Sequence, residues 1–482
     1  MINTLLTNLP HSRLLLTAVL LSFGVSFQYG FQLSVINPTQ SVFQSFINSS
    51  FHSHYNIFLT EHGFRALWAL ITAIIDLGGL LGVLAVASLS NKLGRRNSLF
   101  LSAFAYTLAL IPAIASHASN SWELFLIGRF ALGLCCGFSV TVLSVYLAEI
   151  SPIRYRGFTA AIFVLFMEIG FTTAAFIGVP DLLGTDDGWP VLFWLQLVPF
   201  AILAIVSACF CLESPSFLMN RGRERMAERA ILAYHGPLVE VEEVVRQIRE
   251  ELSLESQALG LLSVWRQKLA RKGIILGIVA NFALNFSGVI PVTFYGTYLI
   301  TEAGLSQRKA AYANAGVALA TVVGTFLAPW AVEHYGRRPL LLFNTVSLAL
   351  LDMLMFVFME FYHIYGYESF GICFTLVNLI FMLIFGTGLA SIPYLIANET
   401  VPINCRAGAS SWAVMSQYLS AFLCPFLFLP LQGFIGAYSF LLFTVCLAVV
   451  TAYFYKFLPE TKDRNVSEVL EQMYGCLAVS TK

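Results

Sequence analysis

The chain has 482 residues, 58% hydrophobic and 11% charged, where a soluble domain has roughly 45–50% and 25%. Its 27 Lys+Arg are balanced by 27 Asp+Glu, so nothing in the net charge points to a nucleic-acid partner. The composition excludes a soluble globular domain and identifies an integral membrane protein.

Apolar runs begin near residues 14, 66, 98, 123, 157, 189, 273, 309, 338, 370, 408 and 434. The longest, such as LFWLQLVPFAILAIVSACFCL (192–212), reach the roughly 20 residues a membrane helix needs. They are continuous rather than alternating, so twelve transmembrane helices are predicted and a barrel is not. The first run has the look of a signal peptide. It lacks an A-x-A-like cleavage site and further spans follow it, so it reads as a retained anchor.

Charge sets the orientation. Lys92, Arg95, Arg96, Arg154, Arg156, Arg337, Arg338 and Arg406 fall in the short connections after the second, fourth, eighth and tenth spans. The positive-inside rule assigns those connections, and with them both termini, to the cytoplasm. Residues 37–65 are then outside, where Asn48-Ser49-Ser50 is an N-glycosylation sequon. The sequons at Asn398 and Asn465 fall on the cytoplasmic side and are expected to stay bare. Nine cysteines, mostly single and inside apolar spans, read as packing residues and not as a disulfide or metal framework.

The one long polar stretch is 213–272. NRGRERMAERAILAYHG and VEEVVRQIREEL mix acids and bases at helical spacing, which fits short amphipathic cytoplasmic helices or a solvated linker. The predicted organisation is an all-α membrane protein: a six-helix half over 1–212, a linker over 213–272, a second six-helix half over 273–458 and a cytoplasmic tail over 459–482.

The halves repeat. NKLGRRN (91–97) is echoed by EHYGRRP (333–339), YLAEISPIRYRG (146–157) by YLIANETVPINCRAG (394–408), and LESPS (212–216) by LPETK (458–462). The offsets are 336 − 94 = 242, 399 − 149 = 250 and 460 − 213 = 247. Three motif pairs at nearly one offset mark a tandem duplication, with the halves side by side about an axis normal to the membrane. Each motif puts Arg or Glu at the cytoplasmic end of a span. Glu149, Arg156 and Glu213 with Arg95 or Arg96, and Glu399, Arg406 and Glu460 with Arg337 or Arg338, are expected to form an ion-pair lattice that holds the halves together inside. Topology anchoring alone is the competing reading, though it does not require the matched acids.

These motifs carry a family resemblance. GRR after the second and eighth spans, Gly128-Arg129-Phe130, Glu149 with Arg156-Gly157, Glu213-Ser214-Pro215 and Pro459-Glu460-Thr461-Lys462 resemble the sugar porter branch of the major facilitator superfamily. FGVSFQYGF (23–31), GGLLG (78–82), DGWP (187–190) and GAYSF (436–440) are similar to the facilitative glucose and fructose carriers of animals, and FQYG to their fructose-transporting subgroup. The resemblance spans residues 14–464. It implies twelve helices, a central site between the halves, and alternating access without ATP.

The resemblance also implies the site. Leu284 and Asn285 stand at two glutamine positions of the seventh span, Ser287 at its Ser-Gly, Ile290 at an asparagine, and Phe294 and Tyr295 at an aromatic pair. Val164 stands at a sugar-binding glutamine of the fifth span. In the tenth span Ser391 lies in the altered proline-rich pattern and Tyr394 at an aromatic position. In the eleventh, Gln417 and Tyr418 match an Asn-Trp pair, and Tyr29 keeps the tyrosine of the fructose subgroup. Gln32 stands where proton-driven relatives carry an aspartate, and an amide cannot cycle a proton, so uniport is predicted. Amides and hydroxyls suit the donors and acceptors around a sugar ring.

Two acids lie mid-span in this region, Asp76 in the second and Glu168 in the fifth, one turn from Val164. A charge at that depth costs several kcal/mol unless paired or wetted, which makes Glu168 a site candidate; a protonated, hydrogen-bonded carboxyl is the structural alternative. Asp352 reads as structural.

Three functions remain open on the sequence: a facilitative hexose carrier, with fructose first; a carrier of the same fold for a changed substrate such as an organic ion; and a non-transporting sensor. No Walker A motif, catalytic triad or metal spacing is present, so no enzyme activity, cofactor or metal is expected. The expected partners are a small-molecule sugar and the lipid bilayer, with the monomer as the working unit and the plasma membrane as its location.

Overall fold

The structure, a computed structural model, describes residues 10–237, 239–256, 259–462, 464 and 466–474. The sequon asparagine at 465 and residues 475–482 of the predicted tail lie outside the described residues. Among the described residues there is no strand. A bilayer offers no hydrogen bonds to an open backbone, so each apolar run closes its own amides into a helix.

The first span is two helices, α1 (Ser12–Gly24) and α2 (Ser26–Ser34), parted at Val25. A short helix α3 (Gln40–Tyr55) lies between the first two spans. The second to fifth spans are α4 (Glu61–Leu93), α5 (Arg95–Ala118), α6 (Trp122–Ile150) and α7 (Arg156–Ile177). Side-chain caps start two of them: Thr60 Oγ1 accepts from Gly63 N at 3.2 Å and Ser121 Oγ from Leu124 N at 3.4 Å. The sixth span is α8 (Trp189–Trp194) with α9 (Leu197–Ile205), ending in a π turn over Val206–Phe210.

The polar stretch folds as α10 (Pro215–Asn220), α11 (Glu224–His235) and α12 (Val241–Ser256). It touches both halves. Tyr234 bonds Tyr146 at 2.8 Å on one side, and Leu259 N donates to Asn404 O at 2.9 Å on the other.

The seventh span begins at Lys268, five residues ahead of the predicted 273, and breaks in the middle: α13 (Lys268–Asn285) and α14 (Val289–Glu302) flank Phe286-Ser287-Gly288. Gly288 holds φ +89°, a conformation that suits glycine, and a Cβ there would meet the Asp352 carboxylate. The eighth and ninth spans are α15 (Gln307–Tyr335) and α16 (Arg337–Tyr365). The tenth is broken again, α17 (Glu368–Thr387) and α18 (Ile392–Glu399). Then α19 (Arg406–Ile435) and α20 (Ser439–Phe457) turn back at Gly436, and α21 (Val466–Tyr474) packs on α13.

Eleven stretches of the described chain are long and apolar enough to cross a membrane, and the last, Ile403–Phe457, holds both α19 and α20. That makes the twelve predicted crossings. Within the halves α4 and α5 pack on α6, α15 on α17 and α16 on α20; between them α4 lies against α19 and α7 against α15.

The repeated motifs build the same device twice at the end of the bundle rich in Arg, here called the basic end. Gly94 (φ +91°) and Gly336 (φ +86°) turn the chain between spans, and a Cβ at either would strike the carboxylate of Glu213 or Glu460. Glu213 Oε1 accepts the backbone N–H of Arg95 at 2.8 Å and of Arg96 at 3.1 Å. Glu460 accepts those of Arg337 and Arg338, both at 3.1 Å. Each carboxylate caps the positive end of a helix. Arg95 Nη2 then pairs with Glu149 Oε1 at 2.9 Å, and Arg337 Nη2 with Glu399 Oε1 at 3.1 Å. Ser214 and Thr461 donate to the second oxygens of those two glutamates.

The predicted lattice is therefore corrected in four ways. Arg95–Glu149 and Arg337–Glu399 each stay within one half and do not cross between halves. Glu213 and Glu460 serve as helix caps for backbone amides. Arg96 and Arg338 donate to carbonyls, of Ser207 and Ala208 in one half and of Tyr455 in the other. Arg156 pairs with Glu251 of α12 at 3.1 Å, while Arg406 has no ion pair among the described residues.

Direct hydrogen bonds between the halves gather at the opposite end. Asn37, fully buried, donates through Nδ2 to Thr293 O at 2.7 Å and accepts Thr297 N–H on Oδ1 at 3.0 Å. Arg308 Nε reaches Asp181 Oδ2 at 2.7 Å, Tyr312 joins the same oxygen at 3.0 Å, and Gln307 bonds Ser41. Asp181 is held below the usual carboxylate range, first by the Arg308 hydrogen bond.

Candidate functional site

Where the broken helices face one another, a cavity of 120 Å³ lies between the halves. The breaks are what make a cavity possible, because each lets a helix change direction beside the central axis. The first half contributes Tyr29, Asp76 and Glu168 to the wall; the second contributes Asn285, Tyr394 and Gln417. Met167, Phe171, Leu284, Ile290, Phe294 and Phe385 are among its apolar lining.

Six of the twelve predicted site residues meet here: Tyr29, Glu168, Asn285, Phe294, Tyr394 and Gln417. Asn285 Nδ2 donates to Gln417 O at 2.8 Å and to Ser420 Oγ at 2.7 Å. Gln417 Nε2 donates to the Tyr394 hydroxyl at 2.5 Å. The seventh and eleventh spans are thus laced together along the wall.

The other six lie outside the wall. Tyr295, fully buried, donates its hydroxyl to Pro425 O at 3.0 Å and stacks on Phe428. Helical geometry puts neighbours 294 and 295 about 100° apart, so only one of the pair faces the cavity. Ser287 donates to Leu284 O at 2.8 Å, closing the break in its own span. Tyr418 packs over Gly79 of α4, Ser391 buries its hydroxyl at the α17–α18 break, and Val164 sits one turn nearer the basic end.

Gln32 belongs to a different constellation. Its amide donates to Gln196 Oε1 at 2.5 Å, and its side-chain and backbone oxygens accept Arg129 Nη1 at 3.0 and 2.9 Å. Arg129 is fully buried, with Nε and Nη2 lacking hydrogen-bond partners, and it lies close enough to Asp76 for charge attraction. Sequence reasoning flagged Asp76 and the Gly128-Arg129 motif but joined neither to Gln32 or Gln196. The available signal was four polar groups in four apolar spans.

At the predicted sequon, Asn48 lies within α3 with its Oδ1 sealed from solvent, and Ser50 accepts the Trp122 N–H at 3.1 Å.

Twelve crossings in two repeated halves with a shared central cavity define a membrane carrier of the major facilitator fold. A family model, Sugar (and other) transporter, matches residues 17–473. Solute carrier family 2, facilitated glucose transporter member 5 of Homo sapiens is 30% identical over 472 residues, covering 95% of this chain and 91% of that protein. Facilitated glucose transporter protein 1 of Caenorhabditis elegans is 29% identical over 458 residues, covering 92% and 88%. Among solved structures, the xylose transporter XylE from E. coli, in a partially occluded inward open conformation, superposes with a TM-score of 0.77 at 21% identity, covering 94% of this chain and all of that one. The chain belongs to the sugar (and other) transporter family.

Proposed function

We propose that the protein is a facilitative hexose carrier, with fructose as its first substrate and glucose its second, working as a monomeric uniporter by alternating access. The observation that carries this reading is the cavity walled by both halves. A molecule bound there touches Asn285 and Gln417 on one side and Tyr29 on the other, so its binding responds to any rocking of the halves. Support for uniport comes from Gln32: its amide is committed to Arg129 and Gln196, and neither amide takes up a proton. The basic end and both termini face the cytoplasm in this reading, and the carrier resides in the plasma membrane. The halves at 1–212 and 273–458 are the moving bodies, with 213–272 as the strap between them and 459–482 as tail. The Asn37 closure then faces outside.

Uptake of labelled hexoses into proteoliposomes tests this. The expected result is equilibration of fructose, faster than glucose, without accumulation. Uphill accumulation driven by an inward proton gradient and collapsed by a protonophore overturns uniport.

A further inference from the structure

Two carboxyl groups, Asp76 and Glu168, line the cavity, and no Lys, Arg or His does. Their situations differ. Asp76 has the buried Arg129 guanidinium close by. Glu168 is 8% exposed, has no hydrogen bond or ion pair among the described residues, and shares the wall with Tyr394. Arg129 attracts Asp76 without a hydrogen bond or ion pair to it among the described residues, and Glu168 has no such cation nearby.

The hydrogen-bonding inventory has the same bias. Asn285 gives both described donor bonds to Gln417 O and Ser420 Oγ, and Gln417 gives its amide to Tyr394. Their carbonyl oxygens, Asn285 Oδ1 and Gln417 Oε1, accept from no described group. Beside the hydroxyls of Tyr29, Thr293, Thr321 and Tyr394, the wall thus offers three acceptor groups that take no hydrogen bond from a described residue, counting the carboxylate of Glu168. A neutral sugar hydroxyl gives one donor with its acceptors; an ammonium gives three donors and no acceptor.

We propose that the cavity selects a hexose bearing a protonated amine, a 2-amino-2-deoxyhexose being the simplest, with the ammonium on Glu168 and ring hydroxyls on Asn285 Oδ1 and Gln417 Oε1. This rests on the reading of the chain as a hexose carrier and puts an amino sugar ahead of fructose as that carrier's first substrate. A charge-assisted bond in a desolvated site is among the stronger ones available, whereas a carboxylate left without its cation penalises the neutral sugar. A neutral hexose can offer the same carboxylate only a hydroxyl donor, the weaker partner.

The experiment compares labelled glucosamine with glucose and fructose in proteoliposomes holding the full chain, with and without an inside-negative potassium diffusion potential. The expected result is a preference for glucosamine of about tenfold or more, and acceleration of glucosamine uptake alone by the potential, since only that sugar carries charge. Glu168→Gln is expected to lower the glucosamine-to-glucose ratio by about tenfold. The wild-type voltage response keeps the test decisive where that variant fails to fold. Hexose uptake with no glucosamine preference and no voltage effect overturns the proposal and leaves the hexose-carrier reading standing, with Glu168 as a protonated hydrogen-bonding group. Uptake of neither sugar by protein that unfolds cooperatively on heating overturns both.

Discussion

The two ends of the bundle are built on opposite rules. At the basic end the strong polar contacts stay inside each half: Arg95 with Glu149, Arg337 with Glu399, and a glutamate over each Gly turn. The linker reaches both halves there, through Arg156–Glu251 and Leu259–Asn404. At the other end the halves bond each other directly through Asn37, Ser41 and Asp181. Rigid clusters within the halves and breakable bonds between them are what a rocking carrier requires. In the alternating-access reading proposed above, the bonds that must break are the ones at the Asn37 end.

The largest effect is expected at Asn37. Asn37→Ala removes both hydrogen bonds between the halves, at about 0.5–1.5 kcal/mol for each, while Thr297 N–H and Thr293 C=O, four residues apart in α14, keep each other as helical partners. The closed end is expected to open in a larger share of molecules, read as faster labelling of a cysteine placed at Ser41. Unchanged labelling at equal protein would show that the end is held by packing alone.

The ion pairs within the halves come next. Arg95 and Glu149 are 15% and 17% exposed, and Arg337 and Glu399 21% and 27%. Arg95→Ala and Arg337→Ala are expected to cost similar amounts of thermal stability, about 1–3 kcal/mol each. Labelling at Ser41 is expected to change little in either. A large change there in one variant only would break the equivalence of the two halves.

Arg156 is 40% exposed and Glu251 46%. A half-exposed pair contributes about 0.2–1 kcal/mol, so Arg156→Ala is expected to slow exchange modestly, with the fold and surface abundance kept. Arg406→Ala is expected to do less. Transport by Arg156→Ala at the wild-type rate would remove any role for this pair in the cycle.

The smallest effect belongs to pH. Arg308 lowers the Asp181 carboxyl below its ordinary value of 3.8. A depressed carboxyl stabilises the structure above its unfolded value and loses that contribution as pH falls through the folded one. Labelling at Ser41 is therefore expected to be flat from pH 7 to about 5 and to rise only below about 4, and Arg308→Ala is expected to remove the rise.

Glu168 and Tyr295 mark how far the site was legible. Glu168 stood out because a carboxyl in an apolar span is costly wherever it points, and it lines the cavity. Tyr295 shared its prediction with Phe294, and nothing in the local pattern says which ring faces in; the phase of α14 after the Gly288 break decides it. Gln32 was read as a site residue for its position and is instead an Arg129 partner, since its neighbours come from spans 97 and 164 residues away.

The sequence by itself determined the class, the twelve crossings and the duplication, because membrane insertion depends on local apolar length and the repeats survive as spaced motifs. It also determined that Glu213 and Glu460 hold equivalent places, though not that they cap backbone amides. Only the tertiary structure decided which end is closed, which acid is left without a cation, and which half of the predicted site faces the cavity. Those properties depend on helix rotation and on contacts between segments hundreds of residues apart, and the 3.6-residue period of an apolar helix leaves its facing undetermined when every side is hydrophobic.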